Sequence, residues 1–218
     1  MKTYLAKTPN LISKLFSNQV WSFSTKEKVL YLTFDDGPTP RITNWVLDTL
    51  NKYNAKATFF CIGKNVEQHP QIFQDIIDKG HSIGNHTYNH LNGWKTNTDV
   101  YLQSILKTEK LIQKSKISTQ SRSVGTKLFR PPYGKIKPSQ TKLLLKNNYK
   151  IVMWSVLSGD FDSKITPEKC LKNVINNSKN GSILVFHDSK KAFDKLQIVL
   201  PKILEHFNKK GYTFKKII

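Results

Sequence analysis

From Lys28 onward the chain alternates short apolar runs with stretches of helical spacing. This alternation constrains the fold more than any other feature. Val29-Leu30-Tyr31-Leu32-Thr33-Phe34 is β-branched, aromatic and apolar, and stops at Asp35-Asp36-Gly37-Pro38, which predicts a buried strand and a turn. Helical spacing follows over 43–53, a strand over 57–62, a helix over 66–79 ended by Gly80, and a short strand over 81–85. Further on, helices are expected over 98–114, 139–147, 166–178 and 193–210. Strands are expected over 127–129, 149–156, 182–186 and 212–215. Strands alternating with helices imply parallel pairing, and near-continuous apolar strands imply burial on both faces. A closed or nearly closed barrel of about seven β/α units is the leading architecture. An open doubly wound sheet ranks second, because no glycine-rich dinucleotide turn follows the first strand.

The 218 residues fit one domain. The segment 1–27 lies outside the alternation. Its Leu11, Ile12, Leu15 and Phe16 could form one helical face, expected to pack on a domain spanning 28–218. The net charge of +20 suggests an anionic partner, but only Arg41, Arg122 and Arg130 are arginines and 32 of the 35 basic residues are lysines. Arginine is favoured for bidentate phosphate and base contacts, so no specific nucleic-acid partner is expected. Cys61 and Cys170 read as buried reduced thiols. Lys7, Pro9, Asn10 and Lys14 interrupt any signal-peptide apolar region, and no run approaches the ~18 apolar residues of a membrane span.

Titratable residues gather at the expected C-terminal ends of the strands: Asp35 and Asp36 after the first, His86 and His90 after the third, Arg130 and Tyr133 after the fourth, Asp160 after the fifth, His187 and Asp188 after the sixth. In a parallel β/α barrel these ends face one mouth, where catalytic groups sit. His86 and His90 are four apart, a spacing that reaches one metal from a helix or a tight loop. With one aspartate they make three protein ligands and leave positions open for water and substrate. Asp-Asp-Gly-Pro by itself is equally a turn, and Asp188 is equally a cap for the following helix.

Taken together, Thr33-Phe34-Asp35-Asp36-Gly37-Pro38, His86-Thr87-Tyr88-Asn89-His90, Arg130-Pro131-Pro132-Tyr133 and Leu184-Val185-Phe186-His187 resemble, in order, the motifs of the polysaccharide deacetylase family, the NodB-homology group or carbohydrate esterase family four. The resemblance implies a distorted, incompletely closed (β/α) barrel of about seven parallel strands. It also implies hydrolytic removal of N-acetyl, sometimes O-acetyl, groups from amino-sugar polymers such as peptidoglycan or chitin oligomers. It assigns Asp36, His86 and His90 to a divalent metal, zinc by default, with cobalt, nickel or manganese as alternatives. It makes Asp35 the base, His187 the acid, Arg130 the residue orienting the base and Asp160 the partner of the acid. The Tyr133 N–H becomes an oxyanion donor and Leu184 the apolar residue beside the acetyl methyl. The family's Asp-x-x-Asp-Trp is here Leu157-Ser158-Gly159-Asp160-Phe161, so Phe161 keeps an aromatic wall while Leu157 replaces the first carboxylate.

Trp94, near the mouth, is a further substrate contact on this reading. The altered motif motivates one alternative, a non-catalytic glycan-binding module on the same barrel. A monomer is expected, its lysines free to associate with anionic envelope polymers. The absent export signal makes the cytoplasm the default location, although the family's substrates belong to the cell envelope.

Overall fold

In the computed structural model, which describes residues 4–118 and 127–218, the strands form one parallel sheet. They are β1 (Val29–Asp35), β2 (Ala57–Cys61), β3 (Ser82–Asn85), β4 (Lys127–Phe129), β5 (Tyr149–Ile151), β6 (Val156–Leu157), β7 (Ile183–His187) and β8 (Thr213–Phe214). Seven run in the order β5-β4-β3-β2-β1-β7-β6, and β8 pairs with the start of β1. β5 and β6 close opposite ends of this order, yet only Val152 to Ser155 separate them in the chain. Five residue steps span less than about 18 Å even when extended. The sheet therefore curls until its edges nearly meet, an incompletely closed barrel.

The N-terminal segment bonds across that seam. Val20 N–H donates to Ile151 O at 2.8 Å and Met153 N–H to Val20 O at 2.7 Å, while Leu157 N–H reaches Ala6 O and Thr8 N–H reaches Ser155 O. The single strand expected over 149–156 is thus two. The buried Arg130 guanidinium draws the Val152 and Met153 carbonyls inward, with Nε and Nη2 donating at 3.1 and 2.9 Å, and ends the β5 ladder there.

Strand alternation sorts the core into two sides. Leu30, Leu32, Phe34, Phe59, Leu184 and Phe186 face the helix layer. There they meet Val46, Leu47 and Leu50 of α2 (Ile42–Lys52) and Leu200 and Ile203 of α8 (Phe193–Lys209). Tyr31, Phe60, Leu128, Val152 and Ile183 pack together on the other side, within the barrel. A Cβ on Gly84 would lie 2.3 Å from the Phe60 ring, so glycine lets that ring fill the interior and carry the Arg130 guanidinium 4.1 Å from its centroid.

The helix expected over 66–79 is α3 (Gly63–Gln68) and α4 (Pro70–Asp78), because Pro70 cannot donate a backbone bond and disfavours helical geometry at His69. α1 (Asn10–Leu15) forms, but the expected packing of its apolar face does not: it buries no residue, and Leu11 and Leu15 are 77% and 74% exposed. Hydrogen bonds of the flanking backbone, not this face, tie the segment to the barrel. Cys61 and Cys170 are buried free thiols. No helix among the described residues is long and apolar enough to cross a membrane.

Candidate active site

The end of β1 gives its two adjacent aspartates different surroundings. Asp35 shares the interior face with Tyr31 and Thr33, and its Oδ1 accepts from Arg130 Nη1 at 2.7 Å. The same nitrogen lies 2.6 Å from Thr33 Oγ1, so every guanidinium nitrogen is engaged and the fully buried charge is paired. Asp36 leaves the strand at φ 82°, and Asn65 Nδ2 donates to its carbonyl at 2.7 Å.

The turn beyond rests on Asp188. Its Oδ1 accepts from Gly37 N–H at 3.0 Å and its Oδ2 from the Thr43 hydroxyl at 2.5 Å. A Cβ on Gly37 would fall 2.0 Å from Asp188 Oδ2. Burial pushes the Asp188 carboxyl up to about 8, against the Thr43 hydrogen bond and with help from the Asp36 charge. Asp188 is therefore a support for the turn that carries Asp36 rather than a cap: α8 starts at Phe193, behind Ala192. Its only signal in the sequence is its place next to His187.

After β3 the chain makes a tight loop instead of a helix, with Thr87 and His90 at φ 63° and 55°. Asn85 Oδ1 accepts from Thr87 N–H, and Thr87 Oγ1 accepts from Leu91 N–H. The loop turns both imidazoles toward Asp36: His90 Nε2 lies 3.4 Å and His86 Nε2 3.8 Å from Asp36 Oδ1. One ligand atom from each of the three residues falls within 4.8 Å of the others. The outer nitrogens are occupied, His86 Nδ1 by Arg130 O at 2.7 Å and His90 Nδ1 by Tyr133 Oη at 3.1 Å. The Arg130 carbonyl can only accept, so it fixes the His86 tautomer that leaves Nε2 free, while the Tyr133 hydroxyl orients the His90 ring. Burial, more than the opposing Asp36 charge, pushes the His86 imidazole down to about 3 and lowers that of His90. Both are neutral, as metal ligands must be. Asp36 Oδ1 is buried without a hydrogen-bond partner. An orphaned carboxylate oxygen facing two neutral imidazole nitrogens fits a divalent cation.

His187 ends β7 in register with Asp35. Asp160, fully buried, holds it twice: Oδ1 is 2.8 Å from His187 Nδ1 and Oδ2 accepts His187 N–H at 2.7 Å. Burial lowers the imidazole, but the Asp160 charge and hydrogen bond, with Asp36 and Asp35, more than offset this and raise it to about 9. The Phe161 ring stands edge-on at 5.0 Å from His187 and walls it from one side. Tyr133, at φ 60°, is 61% exposed, and its N–H bonds to no described group.

One expected position differs. Leu184 is not in the mouth: it is fully buried in the helix-facing core with Phe34 and Phe186. Strand period two puts Val185, not Leu184, on the face of His187. Trp94 is 60% exposed; its indole N–H donates to Ile136 O at 3.1 Å, and Lys135 Nζ is 5.1 Å from the ring. It therefore rests against the β4–α6 loop that carries Tyr133, ahead of α6 (Pro138–Lys146). An open cleft of about 730 Å³ begins at Asp36 and His90 and runs past Arg41, Asn65, His69 and Lys190.

The site's composition agrees with what the chain is similar to. The sequence model described as polysaccharide deacetylase matches residues 23–152. A peptidoglycan-N-acetylglucosamine deacetylase of Bacillus cereus is 38% identical over 184 residues, 84% of this chain and 64% of that protein. A second protein of that name from the same organism is 35% identical over 195 residues, 89% of this chain and 88% of its own length. The chain thus spans just under two thirds of one relative and most of the other. The crystal structure of a peptidoglycan N-acetylglucosamine deacetylase in complex with 4-naphthalen-1-yl-N-oxidanyl-benzamide superposes with a TM-score of 0.85 at 34% identity, covering 96% of this chain and 95% of that one. Curled parallel barrel, Asp-His-His cluster and matched sequence converge: the chain belongs to the polysaccharide deacetylase family.

Proposed function

We propose that this chain is a metal-dependent hydrolase that removes N-acetyl groups from an amino-sugar polymer of the peptidoglycan or chitin class. One observation carries the reading. The orphaned Asp36 Oδ1, faced by His86 and His90, follows directly on an arginine-held carboxylate, Asp35, that is in register with an aspartate-held imidazole, His187. Base, metal site and acid therefore line one mouth. The relatives' names supply the substrate class.

Asp36, His86 and His90 would hold the cation, with zinc the first choice for this donor set. A divalent ion there would polarise the acetyl carbonyl and make water acidic enough to attack near neutral pH. The remaining work falls to the chain. Asp35, kept off the cation by its bond to Arg130, takes a proton from the attacking water. The free Tyr133 N–H donates to the carbonyl oxygen as it gains charge, a contribution of roughly 3–4 kcal/mol for one such donor. His187, held as an imidazolium by the Asp160 charge and hydrogen bond, hands its proton to the sugar nitrogen as the C–N bond breaks. Acetate and a free amine leave. Asp160 keeps that imidazole charged and aimed, and Phe161 and Val185 supply apolar walls.

The test is acetate release from chitin oligomers, peptidoglycan and acetylated xylan, after chelation and again with added zinc. His86→Ala is expected to lose both bound metal and acetate release. Asp35→Asn is expected to keep the metal and lose turnover; retained turnover would remove Asp35 as the base. A glycan-binding module would bind these polymers and release no acetate under any metal. The lysine-rich surface would add a salt-sensitive attraction to anionic envelope polymers, read as co-sedimentation that weakens as ionic strength rises.

A further inference from the structure

The cleft that opens on Asp36 and His90 differs from the catalytic mouth in charge. Arg41 and Lys190 both line it, while its one carboxylate is Asp36 at the metal end. Neither cation has a carboxylate partner: the ion pairs among the described residues leave Arg41 and Lys190 out. Arg41 is also held at φ 67°, a backbone state uncommon for a residue with a Cβ and found at ligand clamps. In a chain whose basic residues are nearly all lysine, the cleft wall carries one of three arginines, the side chain whose planar fork suits a carboxylate. His69, Gln68 and Asn65 add polar groups to its lining. The volume, about 730 Å³, lies within the range of ligand sites, ~300–1,000 Å³.

We infer that this cleft selects glycans bearing a carboxylate close to the acetamido group, with Arg41 as the main binding residue and Lys190 as its companion. The inference rests on the deacetylase reading above and narrows it. A neutral chitin oligomer leaves both cations without a partner, whereas a carboxylated amino-sugar chain pairs with them as its acetyl group reaches the mouth.

The test uses matched oligosaccharides: a peptidoglycan-derived tetrasaccharide with free lactyl carboxylates, its methyl ester, and an oligomer alternating glucuronate with N-acetylglucosamine together with its ester. The metal-loaded wild-type protein should show a KM for an acid about tenfold below that for the matching ester, and salt should erode the difference. Arg41→Ala should abolish most of this preference, Arg41→Lys should restore part of it, and Lys190→Ala should reduce it. A preference confined to the lactyl or to the glucuronate pair supports the site and identifies its source. Equal KM values for acids and esters in the wild type, or a preference that survives Arg41→Ala and Lys190→Ala together, would overturn it. Calorimetric binding of the same acid and ester pairs separates the two readings. Acid-selective binding without acetate release refutes the deacetylase and keeps the cleft, and acetate release without selectivity does the reverse.

Discussion

Asp160→Asn isolates one electrostatic interaction in the site and gives it a measurable size. Asn keeps the shape and can still accept the His187 backbone N–H, but it removes the charge beside Nδ1. With that charge and hydrogen bond gone, only the Asp36 and Asp35 charges still oppose burial, so the imidazole falls from about 9. At alkaline pH a smaller share of the protein then carries the protonated acid, so turnover should fall about tenfold for each pH unit by which the imidazole drops below the assay pH. The alkaline limb of the pH–rate profile should move down by about one pH unit or more.

The same change is a stability statement. The folded pKa of His187 lies above its unfolded value, so its contribution is complete below about pH 6.5 and is lost as pH rises through about 9. At about 1.4 kcal/mol per pH unit, the contribution is at most about 3 kcal/mol. The His187 side chain is only 14% exposed, so solvent screening takes little from this. Denaturant unfolding of metal-free protein, which avoids repulsion from a bound cation, should show wild type more stable than Asp160→Asn at pH 6. That margin should shrink by up to ~3 kcal/mol by pH 9.5. If the margin is independent of pH, or if His187 titrates at the same pH in both proteins by NMR, the reasoning fails.

Three other outcomes follow from the geometry. Arg130→Met should cost about 3–5 kcal/mol of stability, because it strips the partner from buried Asp35 and the donors from two carbonyls at the seam; thermal unfolding tests this, and a loss under 1 kcal/mol would contradict it. Tyr133→Phe removes the hydroxyl on His90 Nδ1 and should weaken zinc binding about tenfold in chelator competition, with the fold intact by circular dichroism. Gly37→Ala forces a Cβ against Asp188 and should destabilise by roughly 1–3 kcal/mol while lowering metal affinity; unchanged zinc affinity would show that Asp188 does not support the Asp36 turn.

Much of this protein is readable in one dimension, because its strands alternate with helices at short range and each element carries its own pattern. The Val29 to Phe34 run, the Asp35-Asp36 pair at its end and the His86 and His90 spacing are local signals, and parallel β/α topology is enough to bring strand ends to one face. Where the reading failed, the deciding term was not local. The largely apolar run over Tyr149–Val156 cannot show that the strand must break for the Val152 and Met153 carbonyls to meet Arg130. The apolar residues of α1 look like a packing face, but the barrel seam is bridged by backbone hydrogen bonds instead. Alternation sets Val185, not Leu184, on the face of His187, but only the packed sheet shows that the face of Leu184 is the helix-facing core.

The residues alone therefore determined the fold class and the donor set, since both depend on residue type and spacing. Tertiary structure decided how the donors differ. Asp35 and Asp36 are the same amino acid one position apart, yet one is paired with a buried guanidinium and the other has an oxygen with no partner. His86 and His187 are both imidazoles at strand ends, yet one is held neutral and the other charged. Burial and the neighbouring charge set these differences, and both come from parts of the chain that meet only when the barrel curls shut.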